Sequence, residues 1–397
     1  MNILLLCTKM PFPPKDGGSL ATLAFVGLLK KSNISISVLA ANTPKHPISA
    51  DTPDLIGVKL KTIPLDTNIR VLHLLFNFVF SNLPYNVIRF RSNSFAKKLI
   101  EFLSSSSFDI IQLEGPHLGI YLPLIKKYSD AKVVLRAHNV EHIIWQELAE
   151  ESPSFLKRIY LRVLAKRLKN FEKKLINMVD GVIPISYHDF RTISLFSSPH
   201  YDIVIPYGIN IDDYIPGDQI EINTIFFIGA LDWIPNQKGL MWFIEKVWPD
   251  VLKRMPQIAF HIAGRNAPLW LQKRLIAPNI IFHGEVTNAK EFINKYQVMI
   301  VPLFSGSGIR IKVLEGMALK KPIIVTLKGA EGLNVTHGKE LLITDNPETF
   351  ISEILELLQD NSKQASLGEA ARAFFSKEFD NFALANKMEE FYQKLLI

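Results

Sequence analysis

The chain has 397 residues, 48% of them hydrophobic, a formal net charge of +7 and a single cysteine, Cys7. That length exceeds one ordinary core and implies two domains, while a lone cysteine excludes an intrachain disulfide and leans toward a reducing compartment. The positive balance favours anionic partners such as nucleotide diphosphates or phospholipid head groups, and no zinc spacing or recognition-helix pattern points to nucleic acid.

Residues 2–7, NILLLC, are a short continuous apolar run, which predicts a buried parallel strand rather than a leader peptide. A loop holding Gly17 and Gly18 opens a predicted helix, Leu20–Lys30, and a strand follows at Ile34–Ala40. Strand, glycine loop, helix and strand form the first βαβ unit of a doubly wound domain. The glycine pair either meets a ligand through backbone amides or makes a tight turn. Residues 42–68 are rich in proline and threonine with one strand at Val58–Ile63, and 69–104 read as helix interrupted at Pro84. The apolar run Val71–Phe80 contains His73 and Asn77 and falls far short of the ~20 residues a spanning helix needs, so no transmembrane segment is expected.

Two more core strands, Asp109–Glu114 and Lys132–Arg136, follow, and the second runs into Ala137-His138-Asn139-Val140-Glu141. A polar cluster at the carboxyl end of such a strand is the expected place for chemistry. Asn139 can equally cap a helix, with Glu141 in its first turn. Residues 153–178 read as a long helix in which Lys157, Arg158, Arg162, Lys166, Arg167, Lys169, Lys173 and Lys174 face one acid, Glu172, beside an apolar stripe. It suits either an anionic membrane surface or an ordinary solvated face.

After strands at Gly181–Ser186 and Ile203–Ile205, the segment Pro206–Asp212 marks a domain boundary. The α/β rhythm then restarts with strand Thr224–Ile228, a loop from Gly229 through Asn236 and Lys238, helix Gly239–Val247 and strand Ile258–Ala263. A further strand, Val298–Leu303, enters the turn Ser305-Gly306-Ser307-Gly308. The next helix opens with Arg310 and Lys312, carries Glu315, and leads to strand Ile323–Val325 and a second glycine turn holding Glu331. Glycines let amides approach an anion, the helix start adds its dipole, and the two bases add charge at the same spot. Glu315 can accept from sugar hydroxyls or pair with Lys312 one turn away.

The run GSGIRIKVLEGMALKKPIIVT, with RAHNVE and PYGINID, resembles GT-B glycosyltransferases of family four, and most closely a bacterial sugar-transferase subgroup with GxGxRxKxLE followed by GAEGL. The resemblance implies two Rossmann-like doubly wound domains facing a cleft. It implies an acceptor domain over 1–205, a nucleotide-sugar donor domain over 206–374, and a final helix, 375–397, crossing back to the first. The family's E-x7-E pattern puts its second glutamate on Glu315 and its first on Ser307, and the arginine of its first donor loop on Ala230, two departures from the pattern.

Carried over residue by residue, the likeness makes His138, Lys238 and Arg310 catalytic. Gly17, Gly18, Asn236, Gly306, Ser307, Gly308, Ile309, Lys312, Glu315 and Glu331 then bind the donor. Asn139 and Glu141 lie on the acceptor side. Arg310 supplies the charge missing at Ala230, and Glu331 compensates for Ser307. The implied activity is retaining transfer of a hexosyl group from a UDP- or GDP-type nucleotide sugar to a glycan or lipid-linked acceptor in surface polysaccharide synthesis, with no cofactor and no metal. A cytoplasmic location is expected, at or near the inner membrane face, with peripheral contact through 153–178. Rival readings are a catalytically silent nucleotide- or sugar-binding protein and a sugar-nucleotide epimerase. A nicotinamide dehydrogenase would need GxGxxG after the first strand, which is missing.

Overall fold

The computed structural model describes residues 1–10, 22, 26–27, 34–44, 58–306 and 309–397. Most of the predicted helix Leu20–Lys30, together with Gly17, Gly18, Ser307 and Gly308, lies outside them.

The chain divides into two compact units, Met1–Gly208 with Leu384–Ile397, and Ile209–Ala383. The first is built on strands β1 (Asn2–Cys7), β2 (Ser35–Asn42), β3 (Val58–Pro64), β4 (Ile110–Glu114), β5 (Lys132–Ala137) and β6 (Gly181–Pro184), ordered β3-β2-β1-β4-β5-β6. Every pairing in it is parallel. The second uses β7 (Glu221–Ile228), β8 (Ala259–Ala263), β9 (Ile280–Gly284), β10 (Tyr296–Val301), β11 (Ile323–Val325) and β12 (Leu342–Ile343), ordered β12-β11-β10-β7-β8-β9 and again parallel throughout. Both orders reverse direction beside their first strand. That makes each unit doubly wound, with a switch point at β1/β4 in one and at β7/β10 in the other.

Parallel strands are covered on both faces, so they read as unbroken apolar runs. In β1, Leu4 and Leu6 pack with Phe95, Leu99, Tyr121 and Leu175, while Ile3 and Leu5 pack on the opposite face with Leu384, Met388, Tyr392 and Leu395. In the second sheet Phe227, Phe260 and Ile300 meet Leu240, Phe243, Trp248 and Phe350.

Three local expectations change. The helix predicted at Gly239–Val247 starts earlier, at Ile234, because Pro235 sits in its first turn, where a missing N–H costs nothing. Asn236 and Lys238 are therefore helical, not loop, residues. Residues 203–205 form no strand, although the amides of Ile203 and Ile205 donate to Val182 and Pro184 in β6. The tail is two helices, Asn361–Glu378 and Asn381–Leu396, broken where the Asp380 carboxylate accepts from the amides of Ile211 and Phe382.

Candidate active site

Each unit gathers polar side chains at its own switch point. In the second, β7 ends at Ile228 and is followed by Gly229. A Cβ there would lie 2.3 Å from Lys312 Nζ and 3.0 Å from Asn236 Nδ2, so a larger residue would displace the lysine amine from this position. Lys312 Nζ donates to Asn236 Oδ1 at 2.9 Å and stands 4.2 Å from the centre of the Phe227 ring. Asn236 is fixed in turn, since its amide donates to the Ala230 carbonyl at 2.7 Å. The helix carrying it can approach because Gly239 faces the Pro302 carbonyl oxygen, 1.7 Å from where a Cβ would sit. Burial, then the neighbouring Arg310, pushes the Lys312 amine down to about 7, with Glu315 acting in the opposite sense. An amine poised there gains its full charge when an anion arrives.

Arg310 precedes the helix Ile311–Ala318 and is buried. Its guanidinium donates to the Gly306 carbonyl at 2.8 Å and lies 5.6 Å from the Trp233 ring. Gly306 has φ +97°, and a Cβ would come 2.7 Å from that tryptophan. Glu331 balances Arg310 electrostatically and is ion-paired with Lys328. One turn along the helix, Glu315 accepts from the Tyr214 hydroxyl at 3.0 Å rather than pairing with Lys312. Burial raises its carboxyl above the usual range, with the Tyr214 bond opposing. Two cations and a half-buried carboxylate thus stand beyond the carboxyl ends of β7 and β10, where doubly wound folds bind ligands. Among the described residues, the contacts joining Asn236, Arg310 and Lys312 do not include Lys238. It lies on the exposed side of its helix, lining a groove with Ile234, Met241, Trp242, Glu245 and Trp270.

In the first unit the centre is Glu114, at the end of β4. Its Oε2 is 2.8 Å from His138 Nε2, 3.0 Å from Thr22 Oγ1 and 3.7 Å from Arg136 Nη1, and its Oε1 accepts from Gln112 at 2.5 Å. Gln112 also accepts from the Tyr392 hydroxyl at 2.5 Å, which ties the last helix into the network. Burial alone would raise the Glu114 carboxyl. Arg136, followed by His138 and Gln112, outweighs it and holds the group at about 2. The ionised carboxylate fixes the His138 ring through Nε2. Its buried Nδ1 has no hydrogen-bond partner among the described residues.

Sequence reasoning missed Glu114 as a site residue. The available signal was a carboxylate and an arginine, Glu114 and Arg136, paired in register at the ends of adjacent core strands. Asn139 does not cap the helix Glu141–Glu150, whose N-cap is Val140 with no side-chain bond. The cap is Glu172, which accepts from the amides of Glu141 and His142 at 2.8 and 3.1 Å and from His142 Nδ1 at 2.7 Å. Burial and the nearby Glu172 raise the Glu141 carboxyl to about 7, while a hydrogen bond from Asn139 opposes.

Residues 222–360 match the family described as glycosyl transferases group 1. A Klebsiella pneumoniae protein, described as an uncharacterized 44.6 kDa protein in the cps region, is 25% identical over 394 residues, covering 96% of this chain and 97% of its own. An uncharacterized glycosyltransferase of Methanocaldococcus jannaschii is 29% identical over 202 residues, 49% of this chain and 54% of that one. Among solved structures, sucrose-phosphate synthase from Thermosynechococcus elongatus superposes with a TM-score of 0.68 at 15% identity, over 100% of this chain and 99% of that one. Anabaena HepE in complex with UDP gives 0.66 at 16%, over 99% and 100%. Residues 222–360 therefore form a glycosyl transferases group 1 domain, and the chain is a transferase enzyme of the two-unit α/β fold that these solved proteins share.

Proposed function

We propose that the chain is a retaining glycosyltransferase that moves a hexosyl group from a UDP- or GDP-type nucleotide sugar to a glycan or lipid-linked acceptor in surface polysaccharide synthesis. The observation that carries this reading is the pair Lys312 and Arg310, held by Asn236 and Gly306 at the β7/β10 switch point. In glycosyl transfer the bond between the anomeric carbon and the diphosphate breaks and its electron pair leaves with the diphosphate. The acceptor hydroxyl oxygen bonds to that carbon, and its proton passes to the departing phosphate. Preorganised cations stabilise the charge that develops on this leaving group, which is often the largest catalytic term. The Lys312 and Arg310 side chains supply that stabilisation here, and the proposal calls for no metal ion. Glu315, beside Tyr214, is assigned to the nucleotide's ribose hydroxyls, and His138, oriented by Glu114, to the donor sugar.

Relatives support the substrate class. The Klebsiella relative lies in a cps region, HepE has been solved with UDP and with UDP-glucose, and S. aureus TarM with alpha-GlcNAc-glycerol and UDP. A lipid-linked acceptor would bring the chain to the inner membrane face, with the basic helix 153–178 toward anionic lipid.

The test is a thermal-shift panel of UDP-, GDP-, ADP- and TDP-sugars, with Lys312→Ala, Glu315→Ala and Lys238→Ala beside the wild type. Ligand at about 100 times its dissociation constant adds ~2.7 kcal/mol, a shift of a few degrees. One base should stabilise the wild type and fail with Lys312→Ala and Glu315→Ala. Retention by Lys238→Ala would place that residue outside the donor site. No shift with any sugar nucleotide, in folded protein, would sink the reading.

A further inference from the structure

The helix Val71–Phe80 is inside out. Its one buried residue is Asn77, while Val71, Leu72, Leu75, Phe76, Val79 and Phe80 face solvent. Leu72 is 79% exposed, Phe76 68% and Phe80 73%. At about 100° per residue these six span roughly half the helix circumference as one continuous apolar face. Asn77 Nδ2 donates to the Leu83 carbonyl at 3.1 Å, and Arg167 donates to the carbonyls of Asn77 and Phe78 at 3.1 and 2.8 Å. Phe78 also packs on Tyr160. The side bearing Asn77 and Phe78 is thus bolted to the protein, and the face of six exposed apolar residues is committed outward.

The chain around it is rich in bases, of which Arg70 pairs with Asp66. Between Asp66 and Glu101 the sequence has Arg70, Arg89, Arg91, Lys97 and Lys98 and no acid. The neighbouring helix Phe155–Ile176 carries eight bases and one acid, Glu172, which is buried as the cap described above. That helix cannot itself insert into lipid along its length, because its stripe of Leu161, Leu164, Leu168 and Leu175 is buried. Lys174 remains exposed on the face that carries Arg167, two turns further on. At its start Phe155 and Leu156 add exposed apolar surface, Leu156 one turn before Tyr160.

We propose that the Val71–Phe80 helix lies in the interface of an anionic bilayer, with the exposed lysines and arginines of the Phe155–Ile176 helix on the lipid head groups. An apolar face on a rigid seat, beside a strongly basic helix, is the pattern of an interfacial helix. Charge favours lipid over a second copy of this chain, since self-association would press two positive surfaces together. The inference refines the membrane contact proposed above, yet it needs no glycosyl transfer, and its test reads lipid binding alone.

The experiment is co-sedimentation of the full chain with vesicles of phosphatidylcholine, alone or mixed with phosphatidylglycerol. Wild type should pellet with the mixed vesicles and release as salt rises. Leu72→Ser/Phe76→Ser should weaken partitioning at least about tenfold. Lys174→Glu should weaken the preference for phosphatidylglycerol. Unchanged unfolding midpoints establish that all these exposed substitutions leave the fold intact. Wild type remaining in the supernatant, or Leu72→Ser/Phe76→Ser binding like wild type, would overturn the proposal. So would a dimer that the same variant dissociates, with no vesicle binding. Vesicle binding without nucleotide binding would count only against the transferase reading.

Discussion

Lys312 concentrates the chemistry of the second unit in one titration. Its amine stands at about 7 because burial and Arg310 disfavour its charge. A bound diphosphate would raise that value, since an opposite charge nearby favours the charged form. The sign follows directly. Below about pH 7 the amine is charged with or without ligand, and affinity should be flat. Above it, binding must take up a proton, so affinity should fall by up to about tenfold per pH unit until the bound-state value is passed. With a nucleotide sugar as the ligand, the diphosphate is esterified at both ends, stays fully ionised over this range and adds no slope. Titration calorimetry near pH 8 in two buffers of different ionisation enthalpy should report close to one proton taken up per nucleotide. Lys312→Met should abolish the uptake and weaken binding about tenfold or more. Equal uptake in the variant would show that another group titrates. This cation was legible in the sequence, because a basic residue just inside a helix after a glycine turn is a recognisable anion signal. Its partner Asn236 stands out less clearly, since the Lys312–Asn236 contact spans 76 residues of chain. Glu114 was hidden for the same reason, as its partner His138 comes from the next strand.

At the scale of elements, the long basic helix is held to its neighbour through its single acid. Glu172 is buried and satisfies two backbone amides at the start of the helix Glu141–Glu150 together with His142 Nδ1. A neutral amide in its place would offer one acceptor oxygen and an NH2 group facing other donors. Glu172→Gln should therefore cost about 2 kcal/mol in urea unfolding. A second readout isolates the charge. The Glu141 carboxyl is raised to about 7 by burial and by Glu172, so ionising it opposes folding. Its destabilisation is absent at low pH and grows as pH rises from the unfolded value, about 4.5, through about 7. Glu172→Gln should shrink the stability difference between about pH 5 and about pH 8, whereas an undiminished difference would deny the coupling. The strands were readable as elements because parallel strands buried on both faces leave unbroken apolar runs in the sequence. Helix ends were less so. Pro235 looks like a loop residue although it opens a helix, and Asp380 breaks the tail through a bond to Ile211, 169 residues earlier.

For the whole molecule, the decisive feature is that the chain's last segment completes its first sheet. Leu384, Met388, Phe391, Tyr392 and Leu395 are buried against Ile3, Leu5, Val38, Val134 and Ile183. Phe391 and Leu395 fill the space beside Gly181, where a Cβ would lie 2.8 Å from the phenylalanine ring. Fully burying each such side chain is worth about 2 kcal/mol, so the five together contribute on the order of 10 kcal/mol. That rivals the entire 5–15 kcal/mol stability of an ordinary domain. The second unit, Ile209–Ala383, needs no such help, since its sheet and its covering helices are contiguous in sequence. Expressed alone, residues 209–383 should unfold cooperatively and, on the proposed function, bind nucleotide with an affinity close to that of the full chain. Residues 1–383 should keep a folded second unit while the first exposes apolar surface, binds a hydrophobic dye and is cut by protease. Adding residues 384–397 as a separate peptide should restore protection, at least partly. If residues 1–383 resisted protease as the full chain does, the last helix would be a cover on a sheet already stable without it.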